Sequence, residues 1–276
     1  MKDTRMDKQV TDQTQATPQS DLHKVSVSDP GFEMYVDLMA KCLTDMIYGG
    51  DRRIVRRGNK IAFDRKKRFQ GRDWPVVGHS MAGVRRLQNV AHLTDRVIAE
   101  DVPGDFIETG VWRGGASAMV RGVLKFRGIE DRKVYLADSF EGLPPPNEED
   151  YPADKGSRYH TRGRLAVGVD AVKKTFEAYD LLDDRVEFVV GWFKDTLHKL
   201  DVPQFALIRL DGDMYESTIQ AISALYPRLA PGGFVIVDDY GGIKACRQAI
   251  HDYRDAQGIT EEIHKIDHTG VWWQKT

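Results

Sequence analysis

Two short apolar runs that each end in acidic residues constrain the fold of this chain more than any other feature. The first, Phe205–Leu210, ends in an Asp-Gly-Asp triplet, and the second, Phe234–Val237, ends in two aspartates. A helix-like stretch separates the runs, so the unit reads as strand, helix, strand. In parallel sheets built of such units, ligands bind beyond the carboxyl ends of the strands. We therefore expect Asp211, Asp238 and Asp239 to converge.

Converging carboxylates repel one another unless they share a proton or a cation. Their oxygens suit hard divalent cations such as Mg²⁺, Ca²⁺ or Mn²⁺, so the pattern favours a metal site. The alternative is that the acids only cap the helices that follow, because acidic side chains favour helix N-termini. Capping accounts for a single acid more readily than for three at two strand ends.

Composition sets the class of protein. The chain has 276 residues, a formal net charge of −2 and 41% hydrophobic residues, which indicates one large α/β domain with an extension. Cys42 and Cys246 are the only cysteines, so no disulfide framework or zinc-ligand cluster is expected. The first residues lack an apolar signal segment, and no apolar run is long enough to span a membrane, so we expect a cytoplasmic protein.

The N-terminal third divides into three parts. Residues 1–28 are polar and predict a disordered leader. Apolar residues at helical spacing then predict a helix from Pro30 until Gly49 and Gly50 stop it. Basic residues crowd residues 51–70, either as a patch for an acidic ligand or nucleic acid, or as a solvated mobile segment. We expect residues 29–100 to form a helical and lid region before a catalytic core at 101–276.

A glycine-rich turn follows the first strand of the core. Asp105–Val111 predicts a buried strand, and residues 110–115 (GVWRGG) lead into a helix near Ala116. Such a turn lets backbone approach a ligand closely, at a helix N-terminus. Asp138 ends the next strand, where an acid can accept hydrogen bonds from a ribose diol. Glu108, just before the glycines, should lie inside the mouth of the site.

Further segments complete the α/β pattern. Residues 72–100 predict a loop and an amphipathic helix, with Ser80 and Met81 at the helix start. The proline-rich loop Glu141–Arg164 predicts a lid, in which His160 is a candidate base or substrate contact. Val186–Val190 predicts a third strand, followed by Gly191 and Trp192. Residues 260–266 and 271–275 predict a final strand pair, which makes a mixed seven-stranded sheet.

Several of these blocks together resemble the macrocin and noviose O-methyltransferase family. The blocks are RDWP and GHSMAG, FIETGVWRGGAS, YLADSFEGLPPP, GWFKDTL, LIRLDGDMYEST and LYPRLAPGGFVIVDDY. The resemblance runs from about Gly31 to the C-terminus. It implies a Rossmann-like class I S-adenosylmethionine-dependent fold with helices on both faces of the sheet, a magnesium ion and often a homodimer. The implied reaction is methylation of a sugar hydroxyl on an antibiotic or related glycoconjugate.

The resemblance also implies roles for individual residues. Glu108 and Gly110 match the first cofactor-binding motif, and Asp138 with Ser139 matches the acid that holds the ribose. Gly191 and Trp192 match the block near the adenine, and Ser80 and Met81 match a helix start near the methionine end of the cofactor. The match for the metal ligands is Asp211, Asp238 and Asp239, with Asp211 also the implied proton acceptor.

Two other functions fit parts of the sequence. The same carboxylates could serve a metal-dependent O-methyltransferase that acts on a catechol or another phenol, whose lower pKa relaxes the need for a base. A binding module for nucleotides or nucleic acid could use the basic residues at 51–70, and its binding would then depend strongly on salt.

Overall fold

The computed structural model describes residues 29–48, 54–56 and 59–276. The predicted leader and residues 51–53 and 57–58 of the basic segment lie outside these residues. The helices are α1 (Pro30–Leu43), α2 (Arg65–Phe69), α3 (Val84–Ala99), α4 (Gly115–Phe126), α5 (Val169–Ala178), α6 (Phe193–Thr196), α7 (Tyr215–Leu225) and α8 (Lys244–Gln257). Among the described helices, none is both long and apolar enough to cross a membrane.

The strands form a small hairpin and one large sheet. They are β1 (Ile54–Arg56), β2 (Asn59–Ile61), β3 (Asp105–Thr109), β4 (Val134–Asp138), β5 (Val186–Val190), β6 (Phe205–Leu210), β7 (Leu229–Val237), β8 (His264–Lys265) and β9 (Val271–Gln274). β1 and β2 pair with each other, and the large sheet has the order β5-β4-β3-β6-β7-β9-β8. Strands β3 to β7 are parallel, and β9 is antiparallel to both β7 and β8. The predicted mixed seven-stranded sheet is confirmed.

Helices cover both faces of this sheet, as predicted. One apolar cluster joins α1, α3, α4 and α5 to one face, and a second joins α7, α8 and the C-terminal strand to the other. Phe106 and Phe234 lie in the first cluster, and Phe205 and Trp273 lie in the second; all four are essentially inaccessible to solvent. Burying a side chain of this kind contributes about 1.5–3 kcal/mol.

The order in which the strands are connected predicts where a ligand binds. From β3 the chain moves outward through β4 to β5, and it then returns to β6 on the other side of β3 before it reaches β7. The direction of winding therefore reverses between β3 and β6, and ligands bind at such a switch point, outside the carboxyl ends of the strands. The glycine turn after β3 and the aspartates after β6 and β7 all lie at this edge.

Some element boundaries differ from the predictions. α1 ends at Leu43 instead of continuing to Gly49, because Asp45 adopts a positive φ of 56° and the chain turns away. β7 starts at Leu229, five residues before the predicted Phe234, through a register shift opposite β6.

Part of the basic segment is buried. The Arg68 side chain is only 3% exposed, and it pairs with Asp73 at 2.7 Å. It also donates to the Thr44 carbonyl at 2.9 Å. This arginine therefore supports the end of α1 and is neither a solvated charge nor part of a free basic patch.

Candidate active site

A cavity of about 490 Å³ lies at the carboxyl ends of the parallel strands. All the residues predicted to bind the cofactor or a metal line it: Ser80, Met81, Glu108, Gly110, Asp138, Ser139, Gly191, Trp192, Asp211, Asp238 and Asp239. These residues come from parts of the chain as distant as residues 80 and 239. The fold thus collects the glycine turn and the acidic strand ends at one place.

The three predicted metal ligands converge in this cavity. Asp211, Asp238 and Asp239 each offer one carboxylate oxygen, and these oxygens lie within 4.8 Å of one another. Asp238 is buried, whereas Asp211 and Asp239 are half-buried and border the open space. The spacing is compact enough for one cation to contact all three carboxylates.

Two buried arginines hold this acidic cluster. Arg209 on β6 contacts Glu108 and Asp238, and its Nη1 donates to Asp211 Oδ2 at 2.8 Å. Arg86 on α3 contacts the other oxygen of Asp238. Buried charges are tolerated when they are paired in this way. The network fixes Asp238 firmly and engages one oxygen of Asp211.

Burial and neighbouring like charges disfavour the ionised forms of the remaining acids, Asp213 and Asp239. Burial, with the nearby charges of Asp211 and Asp238, raises the pKa of Asp213 to about 7. Burial and the charges of Asp213, Asp211 and Asp238 raise the pKa of Asp239 well above its usual range. Among the described residues, Asp239 Oδ2 is a buried oxygen without a hydrogen-bond partner. Oxygen donors that repel one another and lack protein partners fit a hard divalent cation.

The glycine turn packs directly on the acidic strand end. Gly110 has a φ of 84°, and a Cβ built there would lie 1.8 Å from the Asp211 carbonyl oxygen. Only glycine combines that backbone conformation with that approach. Asp138 faces the same turn and accepts hydrogen bonds from Val111 N and Phe140 N, each at 2.7 Å. Asp138 thus shapes the turn, and its contact with a ribose stays a prediction.

Both carboxylate oxygens of Glu108 have partners within the protein, which the sequence did not predict. One of its oxygens accepts from Ser117 N at 3.0 Å, and the other contacts Arg209. Burial raises the pKa of Glu108 to about 7, although Arg209 and Ser117 oppose that shift. Its side chain joins the N-terminal turn of α4 to the acidic cluster.

Ser80 and Met81 do not lie at a helix start, which corrects the sequence-based placement. α3 begins at Val84, after Gly83 with a φ of 80°. The Ser80 amide is not free either, because it donates to the Leu43 carbonyl at 3.0 Å. Both residues still line the cavity, as part of the loop that precedes the helix.

The wall near β5 contains the other predicted cofactor residues. Gly191 has a φ of 136°, and its amide donates to the Asp138 carbonyl at 2.9 Å. Trp192 follows and is the N-cap residue of the short helix α6. The Ser139 hydroxyl donates to the Gly142 carbonyl at 2.7 Å. A role of these residues around an adenine or a ribose stays a prediction.

The predicted lid borders the cavity, and hydrogen bonds anchor it to α7 and to Trp112. Buried Asp154 accepts hydrogen bonds from Tyr215 N at 2.7 Å and Glu216 N at 2.9 Å, so it caps α7 from the lid. Trp112 Nε1 donates to the Arg164 carbonyl at 2.8 Å. Tyr159 and Arg162 line the cavity, whereas His160 between them is exposed and does not.

Sequence reasoning missed Arg86, Arg209 and Asp213 as site residues. A sequence signal existed for Arg209, since it interrupts a six-residue strand whose positions are all buried. A charged residue at such a position usually has a buried partner. Arg86 gave no comparable signal, because its partner Asp238 is 152 residues away.

Known proteins provide an independent comparison. A family model described as Macrocin-O-methyltransferase (TylF) matches residues 32–275. The 8-demethyl-8-(2,3-dimethoxy-alpha-L-rhamnosyl)-tetracenomycin-C 4'-O-methyltransferase of Streptomyces olivaceus is 49% identical over 247 residues, which cover 88% of this chain and 93% of the relative. The Demethyldecarbamoylnovobiocin O-methyltransferase of Streptomyces niveus is 42% identical over 245 residues, 88% of this chain and 94% of the relative.

Solved structures agree with the fold. The O-methyltransferase NovP matches with a TM-score of 0.84 and 42% identity, covering 89% of this chain and 99% of NovP. The calicheamicin methyltransferase CalS11 matches with a TM-score of 0.57 and 18% identity, covering 95% of this chain and 99% of CalS11. The second likeness supports the fold alone.

Proposed function

This chain belongs to the macrocin O-methyltransferase family, and we propose that it transfers a methyl group from S-adenosylmethionine to a hydroxyl of a sugar carried by a natural product. The observation that carries the proposal is the meeting of the glycine turn, Asp138 and the acidic cluster in one cavity. The relatives support the acceptor class, since their names describe a rhamnosyl-tetracenomycin and a novobiocin precursor as substrates. The enzyme class excludes a purely nucleic-acid-binding module as the main function.

We assign the methyl donor to the half of the cavity around β3, β4 and β5. Gly110 lines the cavity, and Asp138 retains lone pairs for ribose hydroxyls beyond those used by Val111 and Phe140. Trp192 offers an aromatic surface on the same wall. Ser80 and Met81 would border the methionine end of the donor.

We assign a divalent cation, with Mg²⁺ as the first candidate, to Asp211, Asp238 and Asp239. A bound cation would supply positive charge where an acceptor hydroxyl loses its proton. The chain provides hard oxygen ligands, and Arg86 and Arg209 orient one of them. We therefore assign the acceptor hydroxyl to the side of the cavity that Asp213 and Asp239 line.

Proton removal is the second task of the chain, because an alcohol is a poor nucleophile while it keeps its proton. Asp211 is the acceptor implied by the family resemblance. The geometry favours its neighbour Asp213, because Arg209 donates to Asp211 and occupies one of its oxygens. Burial still raises the pKa of Asp211, and Arg209 opposes that rise. During transfer the acceptor oxygen gains the methyl group, the sulfonium of the donor becomes a neutral thioether, and the hydroxyl proton passes to Asp213.

Mass spectrometry of products tests this proposal. Purified protein is incubated with S-adenosylmethionine and a panel of deoxysugar glycosides and catechols, first with Mg²⁺ and then with a chelator. The proposal predicts that a glycoside gains one methyl group on its sugar and that the chelator stops the reaction. Methylation of catechols alone would establish the phenol alternative, and an undiminished rate in chelator would contradict the cation assignment.

A further inference from the structure

Arg86 connects the acidic cluster to the C-terminal strand pair. It lies in the first turn of α3 with its side chain only 7% exposed. Its Nη1 contacts Asp238 Oδ2, and its Nε donates to Asp267 Oδ2 at 3.1 Å. One guanidinium group thus bridges two aspartates that lie on different elements.

This bridge leaves Asp238 little freedom to rotate. Arg86 contacts Oδ2 of the carboxylate, and Arg209, on the neighbouring strand β6, contacts Oδ1. Each oxygen still has a second lone pair that no arginine uses. A carboxylate held at both oxygens keeps one orientation, in which one of its oxygens lies within 4.8 Å of carboxylate oxygens of Asp211 and Asp239.

Asp267 is itself held rigidly. Its Oδ1 accepts from Thr269 N and Gly270 N, each at 2.9 Å, so the turn between β8 and β9 is closed around it. The same turn reaches the acidic loop, because Gly241 N donates to the Thr269 carbonyl at 2.7 Å. Asp267 does not line the cavity, whereas its partner Arg86 does.

The side chain of Arg86 packs closely against glycine backbone at two points. A Cβ built on Gly71 would lie 2.4 Å from Arg86 Nη2, and a Cβ built on Gly270 would lie 2.9 Å from Arg86 Cδ. Both ends of the side chain therefore pass glycine backbone. Close packing against these glycines therefore supports the position of Arg86 in addition to its ion pairs.

We propose that Arg86 is a positioning residue for the cation site and that Asp267, in the turn between β8 and β9, anchors it. The inference rests on the proposed function, since it concerns the cation assigned there. Residues that orient a metal ligand typically change metal affinity about 10–100-fold when they are altered. Arg86 acts on the cation through Asp238 and need not touch it.

An electrostatic role and a positioning role of Arg86 predict different results for Arg86→Lys. Lysine keeps the positive charge, so a purely electrostatic role would leave cation affinity nearly unchanged. A single ammonium group cannot reproduce the planar fork that spans Asp238 and Asp267. A positioning role therefore predicts weaker binding at constant net charge.

The experiment measures the dissociation constant of Mn²⁺ by electron paramagnetic resonance of the free ion. Wild type, Arg86→Lys and Arg127→Lys are compared, with thermal unfolding as a check on folding. Arg127 is a matched control, because it also bridges two aspartates, Asp29 and Asp95, but lies outside the cavity. We expect Mn²⁺ affinity to fall about 10–100-fold in Arg86→Lys and to stay at the wild-type value in Arg127→Lys.

A second variant keeps the inference testable if Arg86→Lys does not fold. Asp267→Asn retains the oxygen that closes the turn but removes the acceptor of the Arg86 Nε–H, so it should also weaken Mn²⁺ binding. Wild-type affinity in a folded Arg86→Lys, or in Asp267→Asn, would overturn the inference and leave the proposed function intact. Failure of wild type to bind Mn²⁺ would instead overturn the cation assignment of the proposed function itself.

Discussion

At the residue scale, Arg209 divides the aspartates of the cavity into two groups. It donates to Asp211 at 2.8 Å and contacts Asp238, whereas Asp213 forms no ion pair among the described residues. Its pKa of about 7 reflects burial and the neighbouring charges. A general base is most useful when its pKa lies near the working pH. Asp213 has that property before a cation binds, and a bound cation would lower the pKa.

We predict that Asp213→Asn and Asp211→Asn separate proton transfer from cation binding. Asp213→Asn should reduce kcat by about 10²–10⁴-fold, the usual contribution of a general base, with Mn²⁺ affinity retained. Asp211→Asn should weaken Mn²⁺ binding because it removes a charged ligand. Steady-state assays and Mn²⁺ titration of both variants check this. Undiminished kcat in Asp213→Asn would return the role of base to Asp211.

Contacts between residues far apart in the sequence could be predicted only in part. The sequence predicted Asp211, Asp238 and Asp239 together, because the carboxyl ends of neighbouring parallel strands must meet. It did not predict the arginine that joins Asp238 to Asp267, since those contacts depend on how α3 and the last strand pair pack on the sheet. Packing of this kind is set by the whole fold and leaves no local pattern.

At the scale of elements, the lid is tied to the helix that follows the acidic triplet. Asp154 accepts from the first amides of α7, where a carboxylate also meets the positive end of the helix dipole. Because α7 starts directly after Asp213 and Met214, this cap couples the position of the lid to the acidic loop.

We predict that Asp154→Ala lowers the free energy of unfolding by about 0.5–2 kcal/mol, the usual cost of losing such a cap. It should also raise the KM for the acceptor, since the lid would lose its hydrogen bonds to the first turn of α7. Urea unfolding and steady-state kinetics check the two effects. Asp150→Ala is the control, because Asp150 is exposed and bonds only to Asn147 within the lid. Equal effects in both variants would contradict the coupling.

Helices and strands were predicted correctly where the hydrophobic periodicity and the types of the flanking residues indicated the same bounds. Val186–Val190 and Phe205–Leu210 were predicted with the bounds that the structure has. The end of α1 was wrong, because Met46 and Ile47 continue the apolar period beyond the helix and are used in a turn instead. The start of β7 was missed because its Pro-Gly-Gly sequence is typical of a turn.

At the scale of the whole molecule, the site depends on the complete fold. The cavity is lined by residues from Gly71 to Thr269, contributed by both faces of the sheet and by the final strand pair. The division of the chain at residue 100, a homodimer and a cytoplasmic location stay predictions from the sequence. A cavity assembled from such distant segments should bind ligand only in the folded chain, so ligand binding tests the architecture and the chemistry together.

Calorimetric titration of S-adenosylhomocysteine into the purified protein, with Mg²⁺ and then with a chelator, tests the central claim most directly. The product is used because it occupies the donor position without being consumed. We predict saturable binding of one molecule per chain in both conditions, since the residues assigned to the donor, such as Asp138 and Trp192, are not among the proposed cation ligands. Absence of binding in both conditions, from protein shown to be folded, would contradict the assignment of the cavity to a methyl donor.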